Sequence, residues 1–87
     1  MNKIEIYTTI TCPYCVKAKV LLTKKGLDFN EIDVSSDSEL RSKMTLRANG
    51  RTSVPQIFIN DQHIGGCDDL HALDEKGLLD SMLSENS

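Results

Sequence analysis

The chain has 87 residues, of which 39% are hydrophobic and 26% are charged, and its formal net charge is −3. This length allows one compact core, so we expect a single domain over residues 1–87 with its core at about 3–83. The acidic balance does not favour a nucleic-acid partner, and the longest apolar stretch is too short to cross a membrane. Glu5 interrupts the apolar run that an export signal needs. We therefore expect a cytoplasmic monomer.

The first strand and helix are predicted from periodicity and from two helix signals. Ile4 and Ile6 alternate with polar residues, which predicts a strand. Pro13 suits the first position of a helix, where a missing N–H costs nothing, and Gly26 suits its end. An apolar stripe on this helix is predicted at Val16, Ala18, Val20, Leu21 and Leu22.

A second strand and a second helix follow. The strand is predicted at three apolar residues, Phe29, Ile32 and Val34. Ser36 and Glu39 match a capping box, in which each side chain accepts the other residue's free N–H. The helix that they open continues through Met44 and ends at Asn49 and Gly50.

The last part of the chain predicts a hairpin and a final helix. Gln56–Ile59 and residues 62–64 are predicted as two strands joined by a turn at Asn60 and Asp61. After Gly65 and Gly66, one helix is predicted from Asp68 to Leu83, and we expect residues 84–87 to fray. The order β-α-β-α-β-β-α predicts an α/β fold with a four-stranded mixed sheet flanked by helices.

Two of the three cysteines form a C-x-x-C pair, Cys12-Pro13-Tyr14-Cys15. The spacing places both sulfurs at the start of the predicted helix, within reach of a disulfide. Cys12 meets the free N–H groups and the positive end of the helix dipole, which stabilise a thiolate. Cys15 lies deeper in the first turn, and Lys19 is expected to add positive potential on the same face.

A metal site is the alternative chemistry for this pair. A structural zinc site needs two further ligands, for which the chain offers the three residues Cys67, His63 and His71. None of them forms a second close pair, so we expect no metal. His63 and His71 are expected to be solvated or packed and to have no catalytic task.

Three motifs in this order resemble those of the glutaredoxin family, in particular the bacterial dithiol members. Cys12-Pro13-Tyr14-Cys15 is similar to the family's active site, and Ser53-Val54-Pro55 resembles its T-V-P loop. Gly65-Gly66-Cys67-Asp68-Asp69 resembles its glutathione-binding turn. The resemblance extends from Ile4 to about Leu83.

The resemblance implies a thioredoxin-like fold, with Pro55 in the cis form, and an enzyme of cell redox homeostasis. It implies that glutathione, as co-substrate, supports the reduction of protein disulfides and of glutathione mixed disulfides. Cys12 would be the nucleophile and Cys15 the resolving cysteine, and the electrons would come from NADPH through glutathione reductase. The implied glutathione site consists of Cys12, Tyr14, Ser53, Val54, Pro55, Gly66, Cys67 and Asp68.

The implied roles within this site follow the chemistry of glutathione. Val54 would pair its backbone with the tripeptide, and Tyr14 would flank the sulfur. The N–H groups of Cys67 and Asp68 would hold the γ-glutamyl carboxylate, and the Asp68 carboxylate would pair with the ammonium group. For Cys67 we therefore expect that the backbone matters more than the thiol.

Two positions depart from the family pattern. Many relatives carry Lys or Arg where this chain has Thr9, and Gln or Arg in the second helix where it has Ser42. The remaining candidates to bind the glycine carboxylate are Arg41, Arg47 and Arg51. Affinity for glutathione is expected to be lower than in typical relatives.

Two other functions share part of this pattern. One is a thioredoxin-like electron donor that is reduced by a flavoprotein reductase, which Thr9 favours and the Gly65-Gly66 motif does not. The other is a dimer that binds an iron–sulfur cluster through Cys12 and glutathione. Pro13 argues against the cluster, because cluster-binding relatives usually have a smaller or polar residue there.

Overall fold

The computed structural model describes residues 2–85, and within them four strands and four helices follow one another. In chain order they are β1 (Ile4–Thr8), α1 (Pro13–Lys24), β2 (Asn30–Asp33), α2 (Ser38–Arg47), β3 (Gln56–Ile59), β4 (Gln62–Gly65), α3 (Cys67–Glu75) and α4 (Leu78–Glu85). No helix in this part of the chain is long and apolar enough to cross a membrane.

The strands form the mixed sheet that the sequence predicts, in the order β2-β1-β3-β4. β1 pairs in parallel with β2 and antiparallel with β3, and β3 pairs antiparallel with β4. Asn60 and Asp61 form the predicted turn with φ of 51° and 67°. The Asn60 side chain also accepts the N–H of Lys3 at 2.8 Å, which ties the turn to the start of β1.

The C-terminal helical region differs from the prediction, which had one helix from Asp68 to Leu83. The chain leaves the helical conformation at Gly77, whose φ is 74°, so α3 and α4 are separate helices. Residue 84, predicted to fray, belongs to α4, which extends to residue 85. Residues 86 and 87, where fraying was also predicted, lie outside the described residues.

The buried face of α1 was only partly predicted. Cys15, Ala18 and Leu22 are buried, whereas Val16 and Val20 are 55% and 52% exposed. Residues three and four positions apart share a helix face, and the face containing Cys15 is the one that packs on the sheet. Ala18 and Leu22 belong to the core cluster that contains Ile6 and Ile57, and Cys15 is buried on the same face of the helix.

Two element boundaries also differ from the prediction. Asp37, not Ser36, caps α2, because its carboxylate accepts the N–H of Leu40 at 3.0 Å. Phe29 and Val34, predicted to lie within the second strand, flank β2 on either side. Both still pack on the core, which is what their apolar side chains indicated.

Candidate active site

The cysteine pair lies at the start of α1 and forms a disulfide, with the two Cα atoms 5.2 Å apart. Cys12 is the N-cap residue, with extended backbone, and its Sγ accepts the N–H of Cys15 at 3.1 Å. Cys15 is 1% exposed, whereas Cys12 is partly exposed. In the reduced protein, the N–H group and the helix dipole favour a thiolate on Cys12, which is the more exposed of the two cysteines.

The positive charge expected from Lys19 is balanced within the protein. Its Nζ lies 2.9 Å from Oε2 of Glu31, which also accepts the hydroxyl of Thr8 at 2.8 Å. The hydrogen bond from Lys19, followed by that from Thr8, lowers the pKa of Glu31. Lys19 therefore does not act as a free positive charge beside Cys15.

A pocket of about 150 Å³ brings together most of the residues predicted to bind glutathione. It is lined by Tyr14, Arg51, Ser53, Val54, Pro55, Gly66, Cys67, Asp68 and Asp69. Cys12 is not part of this lining, but its Sγ lies 3.8 Å from the carbonyl oxygen of Val54. The peptide bond between Val54 and Pro55 is cis, as the resemblance implies.

A hydrogen bond from a buried glutamine supports the loop that carries Ser53 and Val54. Gln56 is fully buried, and its Nε2 donates to the carbonyl oxygen of Ser53 at 2.9 Å. Nε2 of His63 lies 2.7 Å from Oε1 of Gln56, which assigns the proton of the imidazole to Nε2. Burial lowers the pKa of His63 and favours this neutral form. His63 therefore supports the loop through Gln56, a role that the sequence did not indicate.

An ion pair between Arg51 and Asp69, which the sequence did not predict, lies on the other side of the pocket. Asp69 Oδ2 accepts the N–H of Gly66 at 2.8 Å and Nη1 of Arg51 at 3.0 Å. Both hydrogen bonds lower the pKa of Asp69, and the bond from Gly66 has the larger effect. An acidic residue at the third position of a helix is a recognisable capping signal, but its partner Arg51 lies 18 positions earlier.

The three arginines proposed for the glycine carboxylate lie in different places. Arg47 contacts Glu5 and Tyr7, each at 3.0 Å, and stacks on Phe58. Arg41 donates to the carbonyl oxygen of Thr52 at 3.0 Å. Arg51 lines the pocket, whereas Arg41 and Arg47 are not among its lining residues.

The third cysteine, Cys67, begins α3 and is 5% exposed. Burial, followed by the nearby charge of Asp68, raises the pKa of its thiol. His71 Nδ1 lies 2.9 Å from the carbonyl oxygen of Cys67 and 3.4 Å from its Sγ. Within residues 2–85 no group of three or more His, Cys, Asp or Glu side chains is arranged to hold a metal ion.

Comparison with known proteins identifies related chains over nearly the whole length. The family model described as glutaredoxin matches residues 4–64. Glutaredoxin 3 of Escherichia coli is 55% identical over 83 residues, which cover 95% of this chain and 99% of that protein. The solution structure of a glutaredoxin from Brucella melitensis is 53% identical with a TM-score of 0.84, over 98% of this chain and 91% of that one. These structural relatives confirm the thioredoxin-like fold that the resemblance implies.

One related structure contains a ligand. The crystal structure of a buckwheat glutaredoxin–glutathione complex is 31% identical to this chain with a TM-score of 0.84. The similarity covers 97% of this chain and 78% of the buckwheat chain.

Proposed function

The chain belongs to the glutaredoxin family of thiol–disulfide oxidoreductases, and from this premise we propose that glutathione is its electron donor. Its substrates are protein disulfides and mixed disulfides between proteins and glutathione. The observation that carries the proposal is the pocket beside Cys12, which is lined by Val54, by the start of α3 and by the Asp68 side chain. The family placement favours neither a thioredoxin-like donor nor an iron–sulfur cluster protein.

The proposed reaction begins at Cys12. Its thiolate attacks the glutathione sulfur of a mixed disulfide, so that a Cys12–glutathione disulfide forms and the protein thiolate leaves. The thiolate of a second glutathione attacks the bound glutathione sulfur, which releases oxidised glutathione and restores Cys12. NADPH and glutathione reductase return oxidised glutathione to its reduced form.

A protein disulfide follows a second branch. Cys12 attacks one sulfur of the substrate, and Cys15 then attacks Cys12 Sγ, which closes the disulfide between them and releases the reduced substrate. Two molecules of glutathione reduce that disulfide. The Cα distance of 5.2 Å is within the range in which a disulfide closes without backbone movement.

The helix start improves Cys12 as a leaving group more than it improves Cys12 as a nucleophile. Lowering a thiol pKa from about 8.5 to about 5 raises the thiolate fraction at neutral pH roughly 30-fold. A Brønsted slope of about 0.45 removes a similar factor of nucleophilicity. The net gain occurs when Cys12 is the leaving group, as glutathione or Cys15 resolves a mixed disulfide. This favours a catalyst that turns over.

Glutathione binds, in this proposal, with its cysteine beside Cys12 and its backbone paired with Val54. Tyr14 flanks the sulfur, and Ser53 and Pro55 shape the loop. The N–H groups of Cys67 and Asp68 take the γ-glutamyl carboxylate, and the Asp68 side chain takes the ammonium group. The buckwheat glutaredoxin that was solved with glutathione supports this choice of ligand. We propose the cytoplasm as the compartment, because a redox-active C-x-x-C pair needs a reducing environment to turn over.

The test is a coupled assay of NADPH consumption with glutathione, glutathione reductase and a small glutathione mixed disulfide. Cys12→Ser should abolish activity, and Cys15→Ser should retain it, because glutathione alone resolves the first branch. With a protein disulfide as substrate, Cys15→Ser should lose most activity. A wild-type protein that is inactive here but is reduced by thioredoxin reductase would overturn the proposal.

A further inference from the structure

We infer that Arg51 binds the α-carboxylate of the γ-glutamyl residue and so determines which end of glutathione lies at the start of α3. The inference rests on the proposed function and extends it. It assigns Arg51 to the end of the ligand opposite to the glycine carboxylate, for which the sequence had made it a candidate.

The position of the guanidinium group supports this assignment. Arg51 Nη1 donates to Asp69 Oδ2 at 3.0 Å, which fixes one edge of the group. Arg51 Nη2 lies over Gly66, where a Cβ would be 3.6 Å from this nitrogen and 3.5 Å from the carbonyl oxygen of Pro55. Gly66 is the N-cap of α3, so the guanidinium group lies near the start of this helix, where the first N–H groups have no partner within the helix.

The pair of Arg51 and Asp69 is arranged for binding more than for stability. The two side chains are 46% and 47% exposed, and ion pairs with such exposure contribute little to folding. An arginine has five N–H donors in a planar fork, and Asp69 accepts one of them at Nη1. A guanidinium group that is already held in place loses less conformational entropy when a carboxylate binds to it.

The charges around Gly66 match an α-amino acid group better than a lone carboxylate. The γ-glutamyl end of glutathione carries both an α-carboxylate and an α-ammonium group, whereas the glycine end carries only a carboxylate. Asp69 accepts one N–H of Arg51, so the guanidinium group keeps further donors for a carboxylate, and Asp68 supplies a carboxylate to the same pocket. Val54, whose carbonyl oxygen is 3.8 Å from Cys12 Sγ, marks the place of the ligand's cysteine.

The experiment compares three mixed disulfides of 2-mercaptoethanol, made with glutathione, γ-glutamylcysteine or cysteinylglycine. γ-Glutamylcysteine lacks the glycine, and cysteinylglycine lacks the γ-glutamyl residue. Reduced Cys15→Ser protein is mixed with each disulfide, and formation of the Cys12–peptide adduct is followed by acid quench and mass spectrometry. The dependence of the rate on concentration separates binding from chemistry.

In the Cys15→Ser protein, Arg51→Met should reduce the second-order rate constant of adduct formation about 10- to 100-fold with the glutathione and γ-glutamylcysteine disulfides. This is the loss expected when a charged hydrogen bond is removed. The loss should appear in the half-saturation concentration, and the rate with cysteinylglycine should not change. Arg51→Lys should restore part of the difference. Arg47→Met, which removes an equal charge outside the pocket, should leave the ratios between the peptides unchanged.

The other outcomes are distinguishable. A loss confined to glutathione and cysteinylglycine would assign Arg51 to the glycine carboxylate and overturn the inference. An equal loss with all three disulfides would show that Arg51 acts only on the structure. If the protein with Arg51 intact does not prefer γ-glutamyl peptides at all, the proposed glutathione site itself fails.

Discussion

Gly65 and Gly66 are neighbours, but the structure predicts opposite responses to alanine. Gly65 has φ of 120°, a region that residues with a Cβ rarely adopt. A Cβ at this position would collide with the carboxylate of Asp69 and lie 2.9 Å from Arg51 Nη1. Gly66 has an ordinary φ of −93°, and its nearest contacts with a Cβ would be at van der Waals distance.

The expected magnitudes follow from these two environments. For Gly65→Ala, the backbone conformation alone costs on the order of 1–3 kcal/mol of unfolding free energy. For a domain of this size, that loss lowers the melting temperature by roughly 5–20 °C. Displacement of Asp69 would also release Arg51 and the N–H of Gly66. Gly66→Ala should change the unfolding free energy by less than about 1 kcal/mol.

Urea unfolding followed by circular dichroism measures both variants under the same conditions. The half-saturation concentration for a glutathione mixed disulfide should rise in Gly65→Ala by more than its loss of folded protein explains. Two alanine variants that unfold at the same urea concentration would refute this reasoning. They would show that neither the left-handed backbone nor the contact with Asp69 constrains this turn.

Two further predictions concern the buried thiol and an ion pair. Cys67→Ser keeps the backbone N–H and should reduce activity in the coupled assay by less than about fivefold, or about 1 kcal/mol; loss of most activity would give the thiol a direct role. Hydrogen bonds from Lys19 and Thr8 lower the pKa of Glu31 in the folded state below its ordinary value of 4.5. The stability that ionised Glu31 contributes is therefore present above pH 4.5 and is lost as the pH falls through the lowered pKa. Glu31→Gln should therefore lower the urea midpoint at neutral pH, with a difference that shrinks in acid, and a deficit independent of pH would contradict the electrostatic explanation.

The elements whose signals are local were predicted from the sequence. The turn at Asn60 and Asp61, the helix start at Pro13 and the apolar β3 depend on neighbouring residues, so a short window contains the information. The position of Cys12 at the helix start likewise depends on neighbouring residues. Three motifs in register then identified the family, because their order and spacing are far more specific than any one of them.

The predictions that were wrong depended on competition between neighbours. Val16 and Val20 are as apolar as a core residue should be, but the face of α1 that meets the sheet contains Cys15 and Ala18. Ser36 and Asp37 are both good caps, and the structure uses Asp37. The last helix is split at Gly77, which has a φ of 74°, and α4 then packs on the core through residues such as Leu79. In each case the local signal allowed more than one solution, and a short stretch of sequence did not decide between them.

The cysteine pair, the redox chemistry and the order of the elements were determined by the sequence itself, since each depends on residues close together in the chain. The tertiary structure decided which polar side chains meet: Lys19 with Glu31, Arg51 with Asp69, and His63 with Gln56. These partners lie between 7 and 18 positions apart, and no pair lies within a single helix or strand. Because a side chain reaches only a few ångströms, such pairs exist only once the sheet and helices have brought their backbones together.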